Sequence, residues 1–260
     1  MFCTSRSWLF SFRKTFSSRF TFLLLCSCFR DFPRNLRPIW YGTRHLNGLT
    51  QPRSLETLTF ANNAIGIKAK AKNLGIVMNN TLSFNDHIDE ICKKVSFAIR
   101  SIGHIRRYLP YDGLKMLVNS LVISRLDYCN SVLYGIPKYH RDKLQRIQNI
   151  AARMITGTRS TDHVTAILKS LHWLPVEARI NFKILLITYN ILNGESTSYL
   201  ESGIQEYLPS RTLRSSTRLL LWIPSIKCNS YGGRAFSAAA PELWNSIPVW
   251  LDSSQILPPT

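Results

Sequence analysis

The sequence predicts a mainly α fold, an irregular helical bundle with one or two short strands and a disordered N-terminal segment. Two observations carry that expectation. Apolar residues recur at three- and four-residue spacing through most of residues 83–191, with prolines and glycines falling where helices of ordinary length should stop. Residues 1–67 show no such period. With 45% hydrophobic residues among 260, the chain can bury one sizeable core or two small ones.

The first 30 residues contain no Asp or Glu and mix Ser, Arg and aromatics, a composition shared by transit peptides and by translated non-coding sequence. Their apolar stretch at 20–29 is interrupted by polar residues and no small-residue cleavage site follows, so it makes a weak targeting signal; cytoplasm or nucleus is the expected location. A membrane span needs about 20 consecutive apolar residues, and no window supplies them. From residue 30 to about 61, Pro33, Pro38 and Pro52 break every pattern, which reads as loose coil.

Organised structure is expected from Lys68. Residues 72–78 (KNLGIVM) have the apolar density of a strand, with a turn at Asn79-Asn80. A helix follows, opened by Ser83 with Asp86 three residues on as a capping box. It carries Ile88, Ile91, Cys92, Val95, Ile99, Ile102 and Ile105 inward and stops at Pro110. Its other face holds Lys93, Lys94, Arg100, Arg106 and Arg107.

A second helix is predicted over 111–127, with Leu114, Leu117, Val118, Leu121, Val122 and Leu126 as its stripe, and Gly135 and Pro137 before the next. The third, 141–156, turns Leu144, Ile147, Ile150, Ala151, Met154 and Ile155 inward, shows Lys143, Arg146 and Arg153 outward, and ends at Gly157 as a left-handed cap. Asp162 can cap a short helix over 164–171, and Pro175 opens a long one through Ile191. Beyond Gly194 come a turn near Tyr199, the LRSS loop at 213–216, a strand candidate at 219–223 and a last helix over 233–244. The expected divisions are 1–67, an unrelated or disordered basic segment; 68–195, the main helical region; 196–252, a smaller helical or irregular region; and 253–260, a tail.

The 33 Lys and Arg against 15 Asp and Glu give a net charge of +18, which calls for a polyanionic counterweight. Nucleic acid is the first class of partner, an anionic membrane surface the second, and a basic chain without a specific partner the third. The six cysteines, Cys3, Cys26, Cys28, Cys92, Cys129 and Cys228, lack the density of a disulfide scaffold and fit a reducing compartment.

Nucleotide polymerisation needs clustered carboxylates to hold two divalent ions roughly 3.5–4 Å apart. The aspartates are Asp31, Asp86, Asp89, Asp112, Asp127, Asp142, Asp162 and Asp252, with no adjacent pair, and Asp86 and Asp89 read as first-turn charges that complement a helix dipole. No zinc pattern is present: Cys26 and Cys28 have no second pair, and His45, His87, His104, His140, His163 and His172 are never at i, i+4 spacing. Cys129 reads as a core or helix-end residue rather than a nucleophile, and Gly232-Gly233 as a hinge before a helix rather than a phosphate loop. No catalytic residue, metal site, cofactor or small-molecule substrate is therefore expected. What remains is a binding surface, in which basic helix faces contact phosphates and Tyr108, Tyr111, Tyr128, Tyr134 or Trp173 stack on unpaired bases, or else pack in the core.

Four strings follow in order: LGIVMNNTLSFNDHI, SRLDYCNSVLYGIPKYHRDKLQRIQNIAARMITG, LHWLPVEARINFKILLITYNILNG and YGGRAFSAAAPELWNSIP. Together they resemble the region downstream of the polymerase palm in jockey-like non-LTR (LINE) retrotransposon reverse transcriptases, over roughly residues 68–251. The resemblance implies a thumb-like bundle that grips RNA or an RNA/DNA hybrid, and a parent RNA-directed DNA polymerase that uses Mg2+. It carries over Arg125, Asp127, Tyr128, Arg153, Trp173 and Arg179 as members of the strings, and no catalytic carboxylate.

It further implies a transposable-element fragment shortened at its 5′ side, with an apolar face exposed to aggregation where the palm would pack. The alternative is an independently expressed helical module that binds nucleic acid or protein without enzymatic role.

Overall fold

The computed structural model describes residues 68–208, 219–226 and 232–248 in full and, before them, the backbone of four strands. Among the described residues the fold is mainly helical, as the periodicity predicts. Strands β1 (Phe22–Cys26) and β2 (Leu36–Trp40) pair antiparallel, as do β3 (Thr57–Phe60) and β4 (Asn63–Gly66), so paired backbone occupies part of the stretch read as coil. The rest of residues 1–67, the LRSS loop, the tail and the side chains of Cys3, Cys26, Cys28, His45 and Cys228 lie outside the described residues. The chain divides into two compact units, 1–94 and 95–260.

In the first unit the expected single strand is a hairpin. Strand β5 (Lys70–Asn73) turns at Leu74-Gly75 and returns as β6 (Ile76–Asn79), with Lys72 opposite Val77. Both turn residues have positive φ, 45° and 86°, which is the two-residue geometry that matches strand twist, and Gly75 adopts it without a Cβ penalty. Helix α1 (Asn85–Ile105) then starts two residues beyond Ser83. The expected capping box does not form. The buried Asn79 side chain takes both groups of Ser83, donating to its Oγ at 2.7 Å and accepting its N–H at 2.9 Å.

Asp86 instead pairs with Lys70, and Glu90 with Lys94 and Lys72, so lysines from β5 lie along the acidic start of α1. The hydrogen bond to Lys94 holds the Glu90 carboxyl below its usual range. His87, 5% exposed, accepts the Val77 N–H at Nδ1 over 3.4 Å. Burial pushes its pKa below the ordinary 6.5, with Glu90 opposing and Lys94 and Lys72 assisting. Because the unfolded chain takes up the proton first, this contact contributes fully above about pH 6.5 and weakens as pH falls toward the lowered folded value. Exchange protection at the Val77 amide, corrected for intrinsic rate, is expected to drop between about pH 7.5 and pH 5.5, and His87→Gln to flatten that drop.

In the second unit, the last turns of α1 bury Val95, Ala98 and Ile102 and leave Ile99 half-buried and Ile105 exposed. The predicted second helix is interrupted: α2 (Tyr111–Val118) runs through a π turn (Asn119–Ile123) into α3 (Ser124–Asp127). The hydroxyls of Ser120 and Ser124 bond back to the carbonyls of Leu117 and Ser120 and compete with the i→i−4 ladder. The extra residue rotates the stripe, so Ile123 is buried while Leu121, expected inward, is exposed.

After a 3-10 turn (Asn130–Leu133), Pro137 precedes α4 (Lys138–Thr156), three residues longer at its start than expected. Gly157 closes it at φ 73°, the predicted cap. On α4, Ile150 is exposed instead of buried, and Gln148 occupies the core. His163, not Asp162, holds the N-cap position of helix α5 (Val164–Ser170) and makes no side-chain cap bond; the Asp162 carboxylate accepts the Arg159 N–H at 3.0 Å instead. Helix α6 (Val176–Leu192) begins after Pro175 as predicted, and a short α7 (Ser198–Glu201) follows.

The strand candidate at 219–223 is a single bridge, Leu221 to Glu206. It is held by α8 (Phe236–Asn245), whose Asn245 side chain both accepts from and donates to the Leu221 backbone at 2.9 and 2.8 Å. Helices α4 and α6 pack together, and α6 also packs on α8 and the 3-10 turn. Each buried Leu, Ile or Val there contributes roughly 1.5–3 kcal/mol.

Candidate nucleic-acid interface

Arg179 and Arg153, among the basic residues singled out from the sequence, are tied into the bundle. Arg179 donates through Nη1 to the Asp127 carboxylate at 2.6 Å and through Nε to the Leu174 carbonyl at 2.8 Å. The same Leu174 carbonyl accepts the amide of Gln148, at 2.8 Å, and Gln145 Oε1 accepts the Val176 N–H at 2.9 Å. Arg141 pairs with Glu177 across the same junction. Side chains of α4 thus clamp the turn that starts α6, and Asp127 at the end of α3 fastens the arginine that follows it.

Arg153 is half-buried rather than outward: Nη2 donates to the Asp162 carbonyl at 3.1 Å. Trp173 is buried, so its ring is core rather than a stacking platform, and its backbone N–H donates to the Leu168 carbonyl. Tyr134 is half-buried, and burial, helped by Glu242, pushes its hydroxyl pKa up. Its carbonyl accepts Arg234 Nε at 3.1 Å.

Lys93 and Lys94 belong to the first unit; both are exposed, and Lys94 pairs with Glu90. Arg125, Lys143 and Arg146 are exposed on α3 and α4. Tyr128 is exposed beside half-buried Cys129, a free thiol at φ 51° that precedes the 3-10 turn.

The C-terminal end of α1 is different in kind. Arg100, Arg106 and Arg107 are exposed, and among the described residues none of the three is in an ion pair. The helix tightens into a 3-10 turn (Arg106–Tyr108), and Arg107 Cζ sits 4.8 Å from the centre of the Tyr108 ring. Tyr108 is 72% exposed and Tyr111, just past Pro110, 52%.

Arg106 reaches the end of α4: its Nη2 lies 3.0 Å from where a Cβ on Gly157 would stand. The carbonyl end of a helix favours such a cation. Exposed Arg159 follows Gly157 by two residues, within about 7 Å of chain. Reading one helix at a time missed the approach of Arg106 to Gly157, because only the fold brings the two together. Spacing could have found Phe97 and His104, which share the exposed face with Arg100.

No group of three or more His, Cys, Asp or Glu able to hold a metal occurs among the described residues, and no helix there is long and apolar enough to cross a membrane. No protein-family model, no curated protein and no solved structure matches the chain.

Proposed function

We propose that this chain is a remnant of a non-LTR retrotransposon RNA-directed DNA polymerase, carrying the thumb-like region beyond the palm and binding RNA or an RNA/DNA hybrid without catalysing polymerisation. The reading is supported by the four strings quoted above and by the absence of any adjacent aspartate pair in 260 residues. The observation that carries the binding part is the group of exposed Arg100, Arg106 and Arg107 at one end of α1, none of them in an ion pair among the described residues, whereas Arg153 and Arg179 are consumed by a carbonyl and a carboxylate. Exposed guanidiniums without carboxylates are free to displace counterions from phosphates.

Binding of the full chain to labelled single-stranded RNA, duplex RNA and an RNA/DNA hybrid, followed by fluorescence anisotropy across a salt series, tests it. Affinity is expected to fall linearly on a log–log plot. The triple variant Arg100→Gln, Arg106→Gln, Arg107→Gln should flatten the slope by about 0.7 per lost contact on a single strand and about 0.9 on a duplex. Salt-independent or undetectable binding to all three probes would refute the reading.

A further inference from the structure

We infer that the exposed face at the end of α1 is a stacking platform for an unpaired polynucleotide strand, with Tyr108 as its central ring and Phe97 as a second. The inference rests on the nucleic-acid reading above and goes beyond it in naming the form of the ligand and the residues that select it.

Five exposed side chains follow one another along this face: Phe97, Arg100, His104, Arg107 and Tyr108. Residues three and four apart on a helix share a face, so the order is aromatic, cation, imidazole, cation, aromatic. The two rings are roughly 18 Å apart along the axis, taking 1.5 Å per residue in the helix and 2.0 Å in the 3-10 turn. That span accommodates several nucleotides of one strand.

Phe97 is 66% exposed, an unusual position for an apolar ring on a helix that has Val95, Ala98 and Ile102 available for the core. Arg107 covers one side of the Tyr108 ring, and the ring's 72% exposure leaves the other side to solvent. A base laid on that open side would complete an arginine–tyrosine–base stack, while Arg100, on the same face, reaches a neighbouring phosphate. Paired bases are already stacked within a duplex and offer no free face except at their ends, so the rings favour an unpaired strand whereas the guanidiniums serve both.

An acidic protein segment could neutralise the arginines equally well. It would have no use for two exposed rings set apart along the cationic face, which is why a polynucleotide is the occupant proposed.

The test uses the full chain with two probes, a labelled 20-nucleotide single-stranded RNA and a blunt RNA duplex of the same length. Tyr108→Ala is expected to weaken single-strand binding roughly tenfold and to leave duplex affinity and both salt slopes unchanged. Tyr108→Trp, which keeps a ring, should retain or tighten single-strand binding, and Phe97→Ala should weaken it by a smaller factor. Both rings are on the surface, so the fold is expected to survive, and far-UV circular dichroism of each variant checks that it does. If Tyr108→Ala lowers neither affinity while the triple arginine variant lowers both, the platform is wrong and the nucleic-acid reading stands. If neither probe binds at low salt, both fall. An equal loss on both probes would also overturn the platform, since it would make Tyr108 a support for the arginines and not a surface for bases.

Discussion

Gly135→Ala is expected to destabilise the second unit by roughly 2–3 kcal/mol, from a left-handed backbone that costs an L-residue about 1–2 kcal/mol and a displaced hydrogen bond worth about 1. Gly135 sits at φ 68°, and a Cβ there would stand 2.7 Å from Arg234 Cγ. The arginine cannot easily retreat, because its Nε donates to the carbonyl of Tyr134, the residue just before. Strain and clash are separable. Gly135→Asn eases the φ cost but keeps the clash, and Arg234→Ala in the Gly135→Ala background removes the clash but keeps the φ cost. A double-mutant cycle read by urea denaturation should therefore show a favourable coupling between positions 135 and 234. Additive losses would mean that the two residues do not meet.

Gln148→Leu is the second large effect, an expected loss of about 2–3 kcal/mol although the change is to an apolar residue of similar size in a fully buried position. Gln148 is 0% exposed, and its amide donates to the Leu174 carbonyl while its Oε1 accepts from Gln145. Leucine would leave the Gln145 amide with Asn149 alone and Leu174 with Arg179 alone. The loss is that of two hydrogen bonds made by one buried side chain, at about 1–1.5 kcal/mol each. Amide exchange should quicken at Val176, whose N–H is held by Gln145, before it does in the middle of α6. A Gln148→Leu variant as stable as the parent would show that the α4 side chains do not clamp this turn.

The two predictions fall where the sequence could be read least. Helix ends marked by Gly157 and Pro175 were legible, since those residues act through their own backbones. The π turn was not: periodicity assumes a constant 3.6 residues per turn, and one extra residue between Asn119 and Ile123 exchanges Leu121 for Ile123 on the core face. The burial of Gln148 and the exposure of Ile150 invert what polarity alone suggests, because the carbonyl that justifies a buried amide is 26 residues away.

The candidate site divides along the same line. A charged face is visible from spacing on α1, but Arg153 and Arg179 look like further surface cations until the fold brings Asp162 and Asp127 to them. The hairpin pairings of Lys70 and Lys72 were equally hidden, as their carboxylates are 16 and 18 residues on.

The bond between Arg234 and Tyr134 joins residues 100 positions apart. A ribosome adding roughly 5–20 residues per second needs roughly 5–20 s to make the intervening chain. Through that interval Gly135 has no Arg234 beside it, and the surface of α6 that α8 will meet stands open to other proteins. The order of synthesis therefore leaves the bundle waiting for its last helix, and any chaperone that attends this chain has most reason to hold it until residue 245 has cleared the exit tunnel.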